Sequence, residues 1–186
     1  LPNATPAAYG SDLYISYGAQ AYAQAYDAVY TELSEEERAR YETGLYQHAL
    51  PLYETVGTKT NNWIEVMAGG LAITGAAIQN TDMMERAKVN MERALASHIK
   101  GDGAYNEGEG YNSYAMHYMT DGMAALRSAG YADLFANPLY QKALAYNVEK
   151  LMPLGLFPLF GDARFRNGAY IDGAAWVGSA ALEAES

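Results

Sequence analysis

Apolar and aromatic residues recur every three to five positions along most of the chain, and no stretch alternates apolar with polar residues as a half-buried strand would. That period of about 3.6 residues is the signature of amphipathic helices. Tyr14, Tyr17, Tyr22, Tyr26 and Tyr30 fall at such spacing and predict a helix from Asp12 to Thr31. Ser34 followed by Glu37 reads as a capping box, in which each residue satisfies a donor at the helix start. The helix it opens passes through Tyr41, Leu45 and Ala49 towards Tyr53, with Pro51 expected to kink or end it. After a polar loop from Gly57 to Asn61, Trp63 to Ile78 forms an apolar helix rich in glycine and alanine. Asp82 and Glu85 are expected to cap the next helix, from about Met83 to Ile99.

The main interruption is Lys100 to Gly110, which holds four glycines and reads as a deliberate loop. A helix from about Tyr111 to Ser128 follows. Asn137 then Pro138 mark a further start, a cap followed by proline in the first turn, for a helix to about Met152. Leu154 to Asn167 reads as an ordered loop and Tyr170 to Ala184 as a last helix. The fold expected is all-α: a single domain over residues 1–186, with 1–10 as loop. Six to seven helices stack as antiparallel hairpins, either a compact bundle or one arc of an (α/α) toroid.

Composition narrows the functions open to such a chain. With 186 residues and half of them apolar, it can bury a real core. No run of 18 apolar residues is present, so no membrane span is expected. The absence of cysteine removes disulfides, thiolate metal sites and a cysteine nucleophile. A net charge of −10, from 12 basic and 22 acidic residues, argues against nucleic acid as a partner. Phosphate-loop, nucleophile-elbow and zinc-protease motifs are absent. The three histidines, His48, His98 and His117, are too dispersed to form a metal cluster, and His48 and His98 read as ordinary helix residues. Tyrosine is in excess, 17 against 4 phenylalanines. Core packing alone has no such preference, whereas a wet aromatic groove does. The chain begins at Leu1, as expected for a chain that has lost a leader or been cut from a longer one.

Candidate chemistry gathers in three places. Asn61, Asn62 and Trp63 precede the apolar helix. The amides serve equally well as a helix cap or as donors to a carboxylate or hydroxyl, with Trp63 stacking on a sugar ring. In the second place, Asp102 to Tyr114 joins a glycine-rich acidic loop to a tyrosine-bearing helix. At about 100° per residue, Tyr111, Tyr114 and Tyr118 lie within about 60° of one another, with His117 beside them. Such a stripe is commonly core, yet hydroxyls and an imidazole need partners, which favours a polar groove. The third place is Phe160 to Asn167. Asp162 reads as a turn cap, and Arg164 or Arg166 as a surface residue or an anion-binding guanidinium.

Asn61-Asn62-Trp63, then Asp102-Gly103 with Glu107-Gly108, Tyr111 and Tyr114, then Phe160-Gly161-Asp162, resembles in order and spacing the heparinase II/III-like polysaccharide lyases. The likeness spans roughly Leu50 to Asn167. It implies an α/α toroid followed by β-sandwich domains in a secreted or periplasmic protein. The implied activity is cleavage of uronic-acid polysaccharide by β-elimination, without cofactor or metal. Carried over, Asn62 is the neutraliser of the uronate carboxylate and Tyr114 the catalytic base, acid or both. Tyr111 is the competing alignment, and Glu65 falls where some members keep a supporting acid. Asn61, Trp63, Glu65, Glu107, Tyr111, His117 and Arg164 are then the substrate-binding candidates. The family adds a histidine from its β domain, which this chain lacks, so the chain reads as a central piece of a longer lyase that alone binds sugar weakly or is inactive. Two other readings stand beside it: a glycoside hydrolase or epimerase using paired carboxylates such as Glu107 with Asp162, and a non-catalytic carbohydrate-binding helical module.

Overall fold

The computed structural model describes residues 12–150. Among them the fold is all-α, with six helices and no strand: α1 (Asp12–Val29), α2 (Glu35–Thr55), α3 (Trp63–Ala77), α4 (Thr81–His98), α5 (Glu109–Ser128) and α6 (Pro138–Glu149). Phe160 to Asn167, with Asp162, Arg164 and Arg166, and the last expected helix lie outside the described residues.

The helices pair as antiparallel hairpins. Between α1 and α2, the Tyr26 hydroxyl donates to Glu42 at 2.7 Å, and the His48 ring meets the Ile15 carbonyl at 3.2 Å. In the α3–α4 pair, Gly75 faces Met83 and Met84 near the turn while Glu65 meets His98 at the far end. Asn112 with Asn147, and Thr120 with Tyr140, tie α5 to α6 in the same sense. The first members of the three hairpins run parallel. Ser16 of α1 donates to the Val66 carbonyl of α3 at 2.6 Å, and Ile73 joins Ala23 and Tyr26 further along. Asn62, just before α3, meets Glu107, just before α5, and Gly69 meets Tyr118. The starts of α1, α3 and α5 therefore share one end of the stack.

Helix α3 is the centre. Every residue from Ile64 to Gly75 is buried, as expected of a helix that is apolar all round rather than along one stripe. Its glycines set the spacing. A Cβ on Gly69 would stand 2.3 Å from the Tyr118 carbonyl oxygen, and one on Gly70 would stand 2.3 Å from Ser16 Oγ. Methionine fills much of the remaining core: Met67, Met83, Met91, Met116, Met119 and Met123 are each at most 1 % exposed. Its unbranched, flexible chain suits irregular gaps between closely spaced helices.

The capping box at Ser34 forms as expected, and Asn137 caps α6 with Pro138 in its first turn. One local expectation is narrowed and one is corrected. Pro51 does not end its helix, which runs on to Thr55. Losing one backbone donor is offset because Leu52 and Val56, just beyond it, are fully buried. Helix α4 is not capped by Asp82. Asn80 caps it, its Oδ1 accepting from the Met83 N–H at 3.0 Å. The turn from α3 is tight. Gln79 takes φ +52°, and the Asn80 N–H bonds the Gly75 carbonyl at 2.8 Å, the hydrogen-bond pattern that closes a helix through a left-handed residue.

Candidate functional site

The common end of α1, α3 and α5 collects most of the candidate residues. Asn62 stands at the cap position of α3 but its side chain does not cap; Asn61 Oδ1 instead lies 3.4 Å from the Trp63 nitrogen. Asn62 holds Glu107. Its backbone N–H donates to Glu107 Oε1 at 3.0 Å and its side-chain Nδ2 donates to Oε2 at 2.5 Å. A main-chain donor at a helix start and a carboxamide thus grip one carboxylate on both oxygens. This geometry suits a negative charge, because the first N–H groups of a helix lack intrahelical partners. Trp63 is half-buried, and the Lys59 ammonium lies 5.2 Å from its ring centre while pairing with Asp12 at 2.5 Å.

Glu107 arrives on the glycine-rich loop, which is tied down along its length. Ile99 and Tyr105 form an antiparallel bridge, Asn106 N–H bonds the His98 carbonyl, and Asp102 accepts from the Ala104 N–H at 3.0 Å. Gly108 takes φ +90°, a conformation that favours glycine, at the turn into α5.

Behind this loop lies a buried polar cluster. Glu65 Oε1 is 2.6 Å from His98 Nδ1 and accepts from the Tyr105 hydroxyl at 2.9 Å. His98 Nε2 faces the Thr60 carbonyl at 3.2 Å. Both ring nitrogens therefore meet acceptors, which the doubly protonated imidazolium satisfies. Burial by itself pushes the His98 imidazole down, but hydrogen bonding and charge from Glu65, helped by Thr60 and Glu107, leave it above its ordinary value. Burial, and then Glu65, pushes the Tyr105 phenol well up. Glu65 is 1 % exposed. It acts on the surface only through what it holds: the end of α4 and the loop that carries Glu107.

The tyrosine face lies across α1 and α5. The Tyr114 hydroxyl is hydrogen-bonded to the Tyr17 hydroxyl. The Tyr118 ring lies 5.3 Å from Tyr114 and 5.4 Å from Tyr17, with Tyr14 edge-on to Tyr17 at 6.0 Å. His117 is half-exposed, 5.4 Å from the Tyr118 ring, with Nε2 3.7 Å from Asp121. Tyr111 is exposed. Burial pushes the Tyr114 phenol well above its ordinary value, and the hydrogen bond with Tyr17 adds to the rise.

The structure brings Asn62 together with Glu107, and Tyr114 together with Tyr17 and Tyr118, with His117 against Tyr118 alone of these. It places Glu65 in a buried cluster with His98 and Tyr105. Three participants carry no assignment from sequence: Tyr17, His98 and Tyr105. Tyr17 reads as one member of an ordinary packing stripe. His98 shows only its place in the last turn before a glycine-rich loop, and its partner is 33 residues away. Among the described residues, no group of three acidic or histidine side chains could hold a metal ion, and no helix is long and apolar enough to cross a membrane. Comparison with protein-family models, curated proteins and solved structures gives no match to this chain.

Proposed function

We propose that the chain is part of a polysaccharide lyase that cleaves uronic-acid-containing polysaccharide by β-elimination. One observation carries the reading furthest: the start of α3 already holds a carboxylate, with Asn62 supplying both donors. β-Elimination requires such a grip. The C5–H of a uronate is a weak acid, and donors to the adjacent carboxylate stabilise the enolate that develops when its proton leaves. Asn62 is the neutraliser in this reading. Tyr114, in the second turn of α5 at the same end of the stack, is the proton-transfer residue.

The raised Tyr114 value bears on its role. Half-burial holds the Tyr114 phenol protonated at neutral pH; the rise makes it a weaker acid towards the leaving glycosidic oxygen but a stronger base once ionised. To serve as base it needs a cation or donor when it ionises. His117, three residues on, is the described candidate, and Tyr17 already contacts the hydroxyl. Trp63 and exposed Tyr111 offer aromatic surface for sugar rings. Glu65 acts as support, through His98 and Tyr105. A net charge of −10 repels an acidic polymer at long range, so binding rests on local donors rather than on steering.

The stacked hairpins form an arc of an α/α toroid in this proposal. A β-sandwich domain of the same secreted or periplasmic protein supplies the remaining wall of the groove. The paired-carboxylate alternative has no described second acid in its favour, because Asp162 lies outside the described residues and Glu107 rests on Asn62. Incubation with a panel of uronans separates the readings. A lyase generates a conjugated C4–C5 double bond that absorbs in the ultraviolet. A hydrolase generates reducing ends without that absorbance, and a binding module generates neither. Reducing ends without absorbance would overturn the proposal.

A further inference from the structure

We infer that Glu107 is a specificity-determining residue of this site: a carboxylate from the chain's own loop that an incoming uronate carboxylate must displace from Asn62. The inference rests on the reading of Asn62 given above and adds a competitor to it. Both Glu107 oxygens are bound, one by the Asn62 backbone N–H and one by its side chain. Asn62 is 5 % exposed and both of these donors are turned to Glu107, so a ligand carboxylate gains them by taking the place of Glu107. Two ionised carboxylates at these donors repel each other, so an ionised uronate and an ionised Glu107 compete for them.

The surroundings fit a movable occupant on a fixed base. The loop backbone is anchored on one side by the Ile99–Tyr105 bridge and the Tyr105–Glu65 hydrogen bond. On the other side it is held where Gly108 turns into α5. Glu107 lies between these anchors and is partly exposed, so its side chain has solvent to turn into without the loop unfolding. The exchange is of one carboxylate for another. A neutral sugar has nothing to offer in return and leaves Glu107 in place, which selects for anionic sugars although the chain is itself acidic.

Glu107→Gln tests this. It keeps the side chain's size and one acceptor for Asn62 but removes the charge, and it puts a donor where a second acceptor stood. Glucuronate and its uncharged methyl ester are titrated into wild type, Glu107→Gln, Asn62→Ala and the double variant. The Asn62 side-chain amide signal reports occupancy where Asn62 is present, and calorimetry reports binding in all four; thermal melts confirm that each is folded. The expected result is glucuronate affinity at least about tenfold higher (~1.4 kcal/mol) in Glu107→Gln, no gain for the methyl ester, and no gain in the double variant. Unchanged or weaker binding in Glu107→Gln, with Asn62→Ala weakened, would overturn the inference and make Glu107 a support for Asn62. Equal binding by wild type and Asn62→Ala would overturn the reading of Asn62 itself, and the competition with it.

Discussion

Gly69 of α3 lies so close to the main chain of Tyr118 on α5 that a methyl group on its Cα would stand 2.3 Å from the Tyr118 carbonyl oxygen. Nothing flexible is available to yield, because the obstacle is backbone. Gly69→Ala should therefore push α5 away from α3 and cost about 1–3 kcal/mol, the usual range for overpacking. A Cβ added to Gly44, on α2, would meet nothing within 4 Å. Gly44→Ala should be neutral or stabilise by up to about 1 kcal/mol through helix propensity. Denaturant midpoints of the two variants check this, and equal shifts would contradict the packing account.

The two buried histidines should respond to pH with opposite signs. His98 is raised in the folded state, burial being outweighed by Glu65. Its contribution is complete below its unfolded value, about 6.5, and is lost as pH rises through the higher folded value. His48 is lowered, chiefly by burial, with the Ile15 carbonyl opposing. Its neutral form contributes fully above about 6.5, and the contribution is lost as pH falls through the lower folded value. The destabilisation caused by His98→Gln should shrink as pH rises, and that caused by His48→Gln should shrink as pH falls. Unfolding curves across the neutral range measure both, and parallel trends would contradict these assignments.

Tyr17 and Tyr114 share a hydrogen bond across α1 and α5. Tyr17→Phe leaves the Tyr114 hydroxyl short of a partner in a half-buried site, at a cost of about 1 kcal/mol. Removing both hydroxyls should cost less than the sum of the single losses, because neither is then left unpaired. A double-mutant cycle on unfolding free energy reads the coupling. Strict additivity would mean that the contact contributes nothing.

Helix positions are the most legible part of this molecule in its sequence, because a period of 3.6 survives in any helix with one buried side. The start of α6 can be placed at Asn137 and Pro138, where cap and proline act on their own turn. The continuation of α2 past Pro51 cannot, because the burial of Leu52 and Val56 that carries it depends on other helices. The same distinction holds at the site. Asn62, Glu107 and Tyr114 stand out as residue types beside loops. Their partners are set by the packing of hairpins far apart in sequence: Tyr17 lies 97 positions from Tyr114, and His98 lies 33 from Glu65. By residue type, Asn62 is equally suited to capping its helix or binding a ligand. Its donors hold a carboxylate, a relationship that no local signal specifies.

Whether Asn62 binds the carboxylate of a sugar acid is measured most directly by calorimetry. A uronate oligosaccharide, and the same oligosaccharide with its carboxyl groups reduced to alcohols, are titrated into wild type and into Asn62→Ala. Wild type should bind the acidic form more tightly, by less than the roughly tenfold of an unopposed charge-assisted hydrogen bond because Glu107 is displaced, and Asn62→Ala should erase the difference. Equal affinity of wild type for the two forms, or a preference that survives in Asn62→Ala, would contradict the assignment.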